Sequence, residues 1–240
     1  MIGFQSIRQL NENTLVLEWP ENIGPDILSE ILHFEQAIIK SHGDLINETY
    51  HSYHALAIQF HRDQTTFENL KKRISHLNLD FGTNLTPATW ELPVCYDGKF
   101  GTDLEEMSKR IGLAKEEIIK IHSESTYTLY FYGFLPGFMY LGGLDKRLYL
   151  NRKSTPDRSV KSGSVAIGGT QTGIYPMDSP GGWHVIGKCP VSIFNTTKSP
   201  PCKMEPGDKI LFRPISIKEL EQINNQIEQG FYELNPNKNG

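Results

Sequence analysis

The stretch GSVAIGGTQTGIYP (residues 163–176) decides the fold, because its pattern is typical of a strand, a glycine hairpin and a second strand. Further short apolar or β-branched runs, separated by Gly and Pro, surround it. Together they predict strands at residues 126–132, 164–167, 170–175, 183–186, 191–194 and 209–215. Many short strands between such turns indicate a closed or nearly closed barrel, which we place at residues 85–230.

Helices are predicted on both sides of these strands. Upstream, a strand at 92–96 is followed by helices at about 103–111 and 115–123, and Asp103 is expected to cap the first of them. Downstream, a last helix begins at Ser216, which with Glu219 forms a capping-box pattern. The polar residues 231–240 are predicted to be a flexible tail.

The first 84 residues have a different pattern, which predicts a separate small domain. The predicted order is strand, strand, helix, strand, strand, helix. A strand is placed at 14–19, a helix with one apolar face at about 25–40, and paired strands at 45–50 and 54–60 before the second helix. Residues 78–93 are interpreted as the linker. The predicted fold class is therefore α+β, with a small N-terminal α/β sandwich at 1–84 followed by the barrel.

Composition limits the classes of function. The 240 residues carry a net charge of −4, which gives no reason to expect nucleic-acid binding. Neither a signal peptide nor an apolar stretch of membrane-spanning length is recognised, so no membrane partner is predicted. Cys95, Cys189 and Cys202 form no CxxC pair, which favours a reducing cytoplasm.

Three glycine-rich elements are where chemistry is plausible: GFLPGFMYLGG (133–143), the hairpin at 163–176, and SPGGW (179–183). Backbone N–H groups in the last of these suit an oxyanion or a carboxylate. The alternatives are ordinary turns packed by their own aromatics, a solvent-facing polar pair, and a core Trp. We predict substrate-binding roles for Gly133, Pro136, Gly137, Tyr140, Gln171, Tyr175, Pro180, Gly181, Gly182 and Trp183.

No residue can be assigned as catalytic from these patterns. His122, His184 and Lys188 are the candidates, although a hydrogen-bonded structural role is the alternative for both histidines. Residues 182–188 match the first positions of a P-loop, but a strand and Pro190 stand where a helix is needed, so a P-loop is rejected. Cys189 is a further, weaker candidate as a thiol, and no metal site is predicted.

Read in order, these motifs resemble the allophanate hydrolase subunit 1 family. The segments that carry the resemblance are GFLPGF (133–138), GSVAI (163–167), QTGIYP (171–176), SPGGW (179–183) and PGD (206–208). The resemblance implies a small N-terminal α/β domain and a cyclophilin-like β-barrel. It also implies one component, inactive on its own, of a bacterial ATP-dependent 5-oxoprolinase, which opens 5-oxoproline to glutamate.

The resemblance further implies partners: a second barrel-type protein, similar to the C component of 5-oxoprolinase, and a third protein, similar to its A component. The complex uses ATP, and no cofactor is assigned to this chain; the ligand is a small amide or carboxylate. The family also contains a sporulation-kinase inhibitor of bacilli, so regulation of a sensor histidine kinase is the alternative function.

This chain departs from the family pattern near residue 157. Asp157 and Lys161 stand in a stretch where relatives carry Arg and Pro, and Lys188 stands where relatives carry Arg. Asp157 is expected to place a negative charge where an anion-binding cation belongs. Arg158 is the neighbouring residue that we predict to bind substrate in its place.

Overall fold

The computed structural model describes residues 3–21, 23–77 and 86–237 and divides into two compact units, Met1–Thr86 and Pro87–Gly240. Within the described residues, no helix combines the length and apolar character needed to cross a membrane. The predicted α+β class is confirmed by the arrangement of helices and strands in both units.

The first unit is a four-stranded antiparallel sheet packed against two helices. Its elements are β1 (Ser6–Asn11), β2 (Thr14–Glu18), α1 (Pro25–His42), β3 (Ile46–His51), β4 (Ala55–Phe60) and α2 (Phe67–Ser75), and the strand order is β1-β2-β4-β3. The helix faces predicted from spacing are buried in large part: Ile27, Ile31 and Ile38 of α1 meet Leu70 and Ile74 of α2 in one core. Ile39, predicted to share the α1 face, is instead 48% exposed. Strands β1 and β2 pair with each other before α1, which confirms the predicted order of two strands before the first helix, and β1 is an edge strand of the sheet.

The second unit is built around a seven-stranded sheet. Its strands are β5 (Thr89–Val94), β6 (Tyr127–Tyr132), β7 (Met139–Gly142), β9 (Ser164–Gly168), β10 (Gln171–Ile174), β12 (His184–Lys188) and β13 (Lys209–Pro214), in the order β12-β9-β10-β7-β6-β13-β5. Strands β8 (Asp157–Val160) and β11 (Ser179–Gly181) form a separate two-stranded ribbon. Only β5 and β13, among these described strands, run parallel to each other.

A single bridge closes the sheet into a barrel. Just beyond β5, Cys95 pairs with Lys188 at the end of β12, and each backbone N–H donates to the other's carbonyl oxygen at 2.9 Å. The two edge strands of the sheet are thereby joined, which removes an exposed edge. Alternate residues then point inward, so that Val165, Ile167 and Ile186 share one barrel core.

Helices α3 (Leu104–Ile111) and α4 (Lys115–Glu124) pack on the same core through buried Met107 and Ile118. The predicted cap at Asp103 is wrong, because the Asp103 side chain makes no capping bond to α3. Its Oδ2 instead accepts from the Val185 N–H at 2.6 Å. This bond ties the start of the helix to barrel strand β12.

Helix α5 (Ile217–Glu228) has the predicted start only in part. The Ser216 hydroxyl accepts from the Glu219 N–H at 3.2 Å, as expected. The Glu219 carboxylate, however, binds Arg213 at 2.8 Å. The Glu219 carboxylate is therefore bound by Arg213 of β13 rather than by the Ser216 N–H, which would complete the capping box.

Three segments depart from their predicted structure. Residues 191–194 form no strand. Strand β5 begins at Thr89, inside the segment 78–93 that was predicted to be a linker. Residues 78–85 of that segment lie outside the described residues. In the segment predicted to be flexible, Tyr232 and Leu234 pack against the barrel core, and the Asn237 N–H donates to the Thr89 carbonyl at 2.7 Å. Residues 238–240 lie outside the described residues.

Candidate functional site

The three predicted glycine-rich elements meet in one aromatic cluster on the outside of the barrel. Phe138, from the first element, contacts Tyr175 and Trp183 edge to face, with ring centroids 5.1 Å and 5.3 Å away. Tyr140 lies 5.9 Å from Trp183 and stacks on Phe131 at 4.6 Å. Val160 of the outer ribbon and Val185 of β12 complete the cluster.

Glycines give these rings a flat surface to lie on. A β-carbon at Gly168 would come within 2.5 Å of the Trp183 ring, and one at Gly181 within 2.2 Å of the Tyr175 oxygen. At Gly173 a β-carbon would lie 2.5 Å from the Met139 carbonyl oxygen. These three glycines are thus required by close approach of rings and backbone.

The aromatic cluster is filled rather than open. Phe138 and Tyr175 are each 1% exposed and Trp183 is 4% exposed, so these rings form a wall. Tyr140 and Gln171 are partly exposed, and Tyr140 packs against this wall. The sequence predicted which elements come together, and the binding roles of their residues stay predictions.

Part of the backbone of the turn before Trp183 is already hydrogen-bonded within the protein. The Gly182 carbonyl accepts from the Lys153 N–H at 2.7 Å. The guanidinium of Arg152 lies 5.5 Å over the Trp183 ring. Sequence reasoning missed Arg152, although a cation beside a predicted aromatic was a usable signal.

Phe134 is the one non-glycine among the described residues with a positive φ, of 65°. Its side chain is 62% exposed. For an aromatic residue this conformation is unfavourable, and strained residues concentrate at functional positions. The predicted binding residues Gly133, Pro136 and Gly137 belong to the same loop, where a β-carbon at Gly137 would lie 2.3 Å from Phe194.

Open space lies on the other side of Val160 and Val185, in a cavity of about 360 Å³. Its lining consists of Lys99, Phe100, Thr102, Asp157, Ser159, Val160, Lys161, Ser164, Val185 and Lys188. Of the predicted site residues, only the catalytic candidate Lys188 lines it. Arg158 is exposed on β8 and is not among the lining residues.

The Lys188 ammonium is half-buried at this cavity and donates to the Ser162 carbonyl oxygen. Burial lowers the pKa of Lys188 below its usual value. A half-buried cation at a cavity is a common arrangement where an anion binds or a proton is transferred.

Asp157 does not leave an unpaired negative charge at the site. Its Oδ2 lies 2.6 Å from the Lys153 ammonium, which also binds Asp103 at 2.8 Å. Burial lowers the pKa of Lys153, but the two carboxylates outweigh it and raise that pKa. The expected conflict at Asp157 is thus resolved by its ion pair with Lys153, which the sequence pattern did not predict.

His122 is fully buried in the barrel core. Its Nδ1 lies 2.8 Å from the Tyr96 hydroxyl and its Nε2 2.9 Å from the Thr172 hydroxyl, and its ring stacks on Phe212 at 4.8 Å. Burial lowers the pKa of His122 to about 3. These contacts agree with the structural alternative rather than with an acid or base that meets substrate.

His184 and Cys189 are also enclosed. His184 Nε2 donates to the Asn151 carbonyl at 3.0 Å, while its buried Nδ1 has no hydrogen-bond partner within the described residues. Cys189 is 1% exposed, and burial raises its pKa to about 12, which makes the thiol unreactive. Of the three catalytic candidates, Lys188 is therefore the one that faces open space.

The segment that resembled a P-loop is strand β12, and in the described chain no helix follows it before residue 217.

Comparison with known proteins places this barrel and its cavity in a family. Residues 5–204 match the family described as carboxyltransferase domain, subdomains C and D. The chain belongs to this carboxyltransferase-domain family. The match extends from the N-terminal sheet through the aromatic cluster and the strand that carries Lys188.

The chain is also similar in sequence to bacterial enzyme components. The chain is 44% identical over 157 residues to the B subunit of 5-oxoprolinase from Bacillus subtilis (strain 168), covering 64% of this chain and 65% of that one. It is 42% identical over 124 residues to the protein of the same name from Escherichia coli O157:H7, covering 52% and 57%. The matched region is thus less than two-thirds of the length of either relative.

Solved structures of carboxyltransferase-domain relatives share the fold. A conserved uncharacterized protein from Pyrococcus horikoshii is 34% identical with a TM-score of 0.54, covering 90% of this chain and 100% of that one. The urea amidolyase of K. lactis is 17% identical with a TM-score of 0.78, covering 96% of this chain and 16% of that one. At that identity the second likeness concerns the fold alone.

Proposed function

We propose that this chain is the B subunit of a bacterial ATP-dependent 5-oxoprolinase, which converts 5-oxoproline to glutamate. The observation that carries the proposal is the 44% and 42% identity to two proteins named as the B subunit of 5-oxoprolinase. The regions that align cover about half or more of the chain, and the family match covers the whole aromatic cluster.

The chemistry of lactam opening sets what the complex must supply. An amide carbonyl is a poor electrophile, so it must be activated, and the negative charge that develops on its oxygen must be stabilised. ATP provides the free energy for activation in the proposed complex. The half-buried Lys188 ammonium offers a positive charge in a small cavity, where a substrate anion or a developing oxyanion is stabilised more than in water.

We infer that the chain works with partner proteins. The relatives are named as one lettered component of an enzyme, and we propose a barrel-type C component and an A component as the partners of this chain. The exposed, strained Phe134 and the bordering Tyr140 are the side chains that we propose to contact one of them. Aromatic residues of this kind commonly dominate the binding energy of protein interfaces.

The alternative of a kinase inhibitor gains nothing from the relatives reported above. They are named as 5-oxoprolinase components or as urea amidolyase, an enzyme, or are uncharacterized. We therefore propose only the role in the enzyme.

Deletion of the gene in its own host tests the proposal. A strain without this chain should accumulate 5-oxoproline, as measured by mass spectrometry of cell extracts, and the wild-type gene should restore the normal level. A gene carrying an early stop codon is the matched control. Unchanged 5-oxoproline in the deletion strain, with all host transcripts otherwise normal, would contradict the proposal.

A further inference from the structure

Ser164 and Lys188 lie directly opposite each other on strands β9 and β12. Residues paired in this way carry their side chains on the same face of the sheet, with β-carbons about 5 Å apart. Both side chains line the cavity of about 360 Å³ outside the barrel. A hydroxyl and an ammonium group are thereby presented to the same small space.

The Lys188 ammonium has unused hydrogen-bonding capacity. It donates to the Ser162 carbonyl oxygen, and within the described residues it forms no ion pair with a carboxylate. An ammonium group has three donors, so two remain for a ligand. A cation that is half-buried without a carboxylate partner is stabilised when an anion enters.

The Ser164 hydroxyl is in a similar situation. The residue is 6% exposed, and within the described residues its side chain takes part in no hydrogen bond. Its backbone, by contrast, is fully used, since the N–H donates to the Lys161 carbonyl and the C=O accepts from the Tyr175 N–H. A hydroxyl that borders a cavity and bonds to no other group of the described residues is available to a polar ligand.

The other charged groups at the cavity leave it cationic. Lys99 lies 5.5 Å over the Phe100 ring and has no carboxylate bound to it within the described residues. Lys161 binds Asp178 at 2.7 Å at the exposed rim. Asp157 is the one carboxylate of the lining, against Lys99, Lys161 and Lys188, and it shares the Lys153 ammonium with Asp103 outside the cavity.

We propose that Ser164 and Lys188 bind the carboxylate group of a small ligand. One carboxylate oxygen accepts from the Lys188 ammonium and the other from the Ser164 hydroxyl, since both side chains line the same cavity. The cavity is at the small end of ligand sites, which suits a single-ring or short-chain acid. Assignment of that group to the carboxylate of 5-oxoproline rests on the proposed function.

Calorimetric titration of the full-length chain tests this subsite with matched ligands. 5-Oxoproline is compared with 2-pyrrolidone, which has the same lactam ring without the carboxylate, and with inorganic phosphate. Saturable binding of 5-oxoproline, at least about tenfold tighter than that of 2-pyrrolidone, is expected, because a charge-assisted bond carries the affinity. Equal affinities for the two rings, tighter binding of phosphate, or no saturable binding of 5-oxoproline would overturn the proposal.

Variants identify the residues. Lys188→Met should weaken 5-oxoproline binding by about 10- to 100-fold and Ser164→Ala by about three- to tenfold, as expected for a charged and a neutral hydrogen bond. Lys188→Arg keeps the charge and should stay within about threefold of wild type. Lys198→Met, at an exposed lysine away from the cavity, is the control and should change nothing. Circular dichroism and melting curves establish that each variant folds, and wild-type affinity in folded Lys188→Met would overturn the assignment.

Failure of the subsite and failure of the proposed function are distinguishable. If the assembled enzyme releases glutamate and Lys188→Met leaves its KM for 5-oxoproline unchanged, the subsite is wrong and the proposed function stands. If the chain binds 5-oxoproline through Lys188 but the assembled complex never turns it over, the subsite stands and the proposed function is wrong.

Discussion

Replacement of Gly168 by Ala tests whether the aromatic cluster depends on its glycine surface. A β-carbon at this position would lie 2.5 Å, 2.5 Å and 2.6 Å from three atoms of the Trp183 ring. Contacts between carbon atoms are favourable at about 3.5–4.0 Å, so the ring must withdraw by about 1 Å. It has little room to do so, since Phe138 and Tyr140 contact it from other sides.

The expected cost follows from two opposing effects. Overpacking of a filled core costs about 1–3 kcal/mol. Replacement of Gly by Ala also lowers the conformational entropy of the unfolded chain. This effect raises the free energy of unfolding by about 0.4–1 kcal/mol where the native backbone conformation suits Ala. Gly168 has no positive φ, so this gain applies. We therefore expect Gly168→Ala to lower the free energy of unfolding by about 1–2 kcal/mol.

Urea unfolding followed by near-ultraviolet circular dichroism measures this change, because that signal depends on the packing of aromatic rings. Gly98→Ala is the matched control: its β-carbon meets nothing within 4 Å and its φ is not positive. The control should stay within about 0.5 kcal/mol of wild type or be slightly stabilised. If Gly168→Ala unfolds at the same urea concentration as the control, the close contact between Gly168 and Trp183 is not part of the folded protein.

Three further predictions concern His122, the Lys153 ion pairs and Phe134. Because burial lowers the pKa of His122 from 6.5 to about 3, only the unfolded chain takes up this proton as the pH falls below 6.5. The free energy of unfolding should therefore drop by about 1.4 kcal/mol per pH unit. His122→Phe should remove that contribution when the urea midpoints at pH 6.5 and pH 5 are compared. In the same assay, Lys153→Met should lower the free energy of unfolding by about 1–3 kcal/mol, and Asp157→Asn by less than about 1 kcal/mol. The difference is expected because the Lys153 side chain is 14% exposed and that of Asp157 44%. Equal effects of the two variants would contradict the central role of Lys153. Phe134→Gly should raise the free energy of unfolding by about 0.5–1 kcal/mol, because glycine adopts a positive φ without strain. Phe134→Ala keeps the strain and is the control. Destabilisation by the glycine variant would refute strain at this residue.

Local patterns predicted the elements of the fold well where one physical effect dominates. The spacing of Ile27, Ile31 and Ile38 marks the buried face of α1, and Gly43 ends that helix. The glycine hairpin at 168–169 joins β9 to β10 as expected. Strand 191–194 was wrong because its apolar residues are buried in a loop, and burial alone does not distinguish the two.

Interactions between distant residues could not be predicted from the sequence. Asp103 lies one position before a helix, which favours a cap, but its carboxylate meets Lys153 and the Val185 N–H, 50 and 82 residues away. The closure of the barrel between Cys95 and Lys188 likewise joins residues without a local signal. Ser164 was quoted only as part of a motif, because its position opposite Lys188 depends on the register of two strands.

The central claim, that this chain is a necessary part of a 5-oxoprolinase, is tested most directly by reconstitution from purified proteins. Isotope-labelled 5-oxoproline and ATP are supplied to the chain together with its candidate partners, and labelled glutamate is measured over time. We expect ATP-dependent glutamate formation by the complete mixture and none when this chain alone is omitted. Equal glutamate formation with and without the chain, or none from a fully assembled complex, would contradict it.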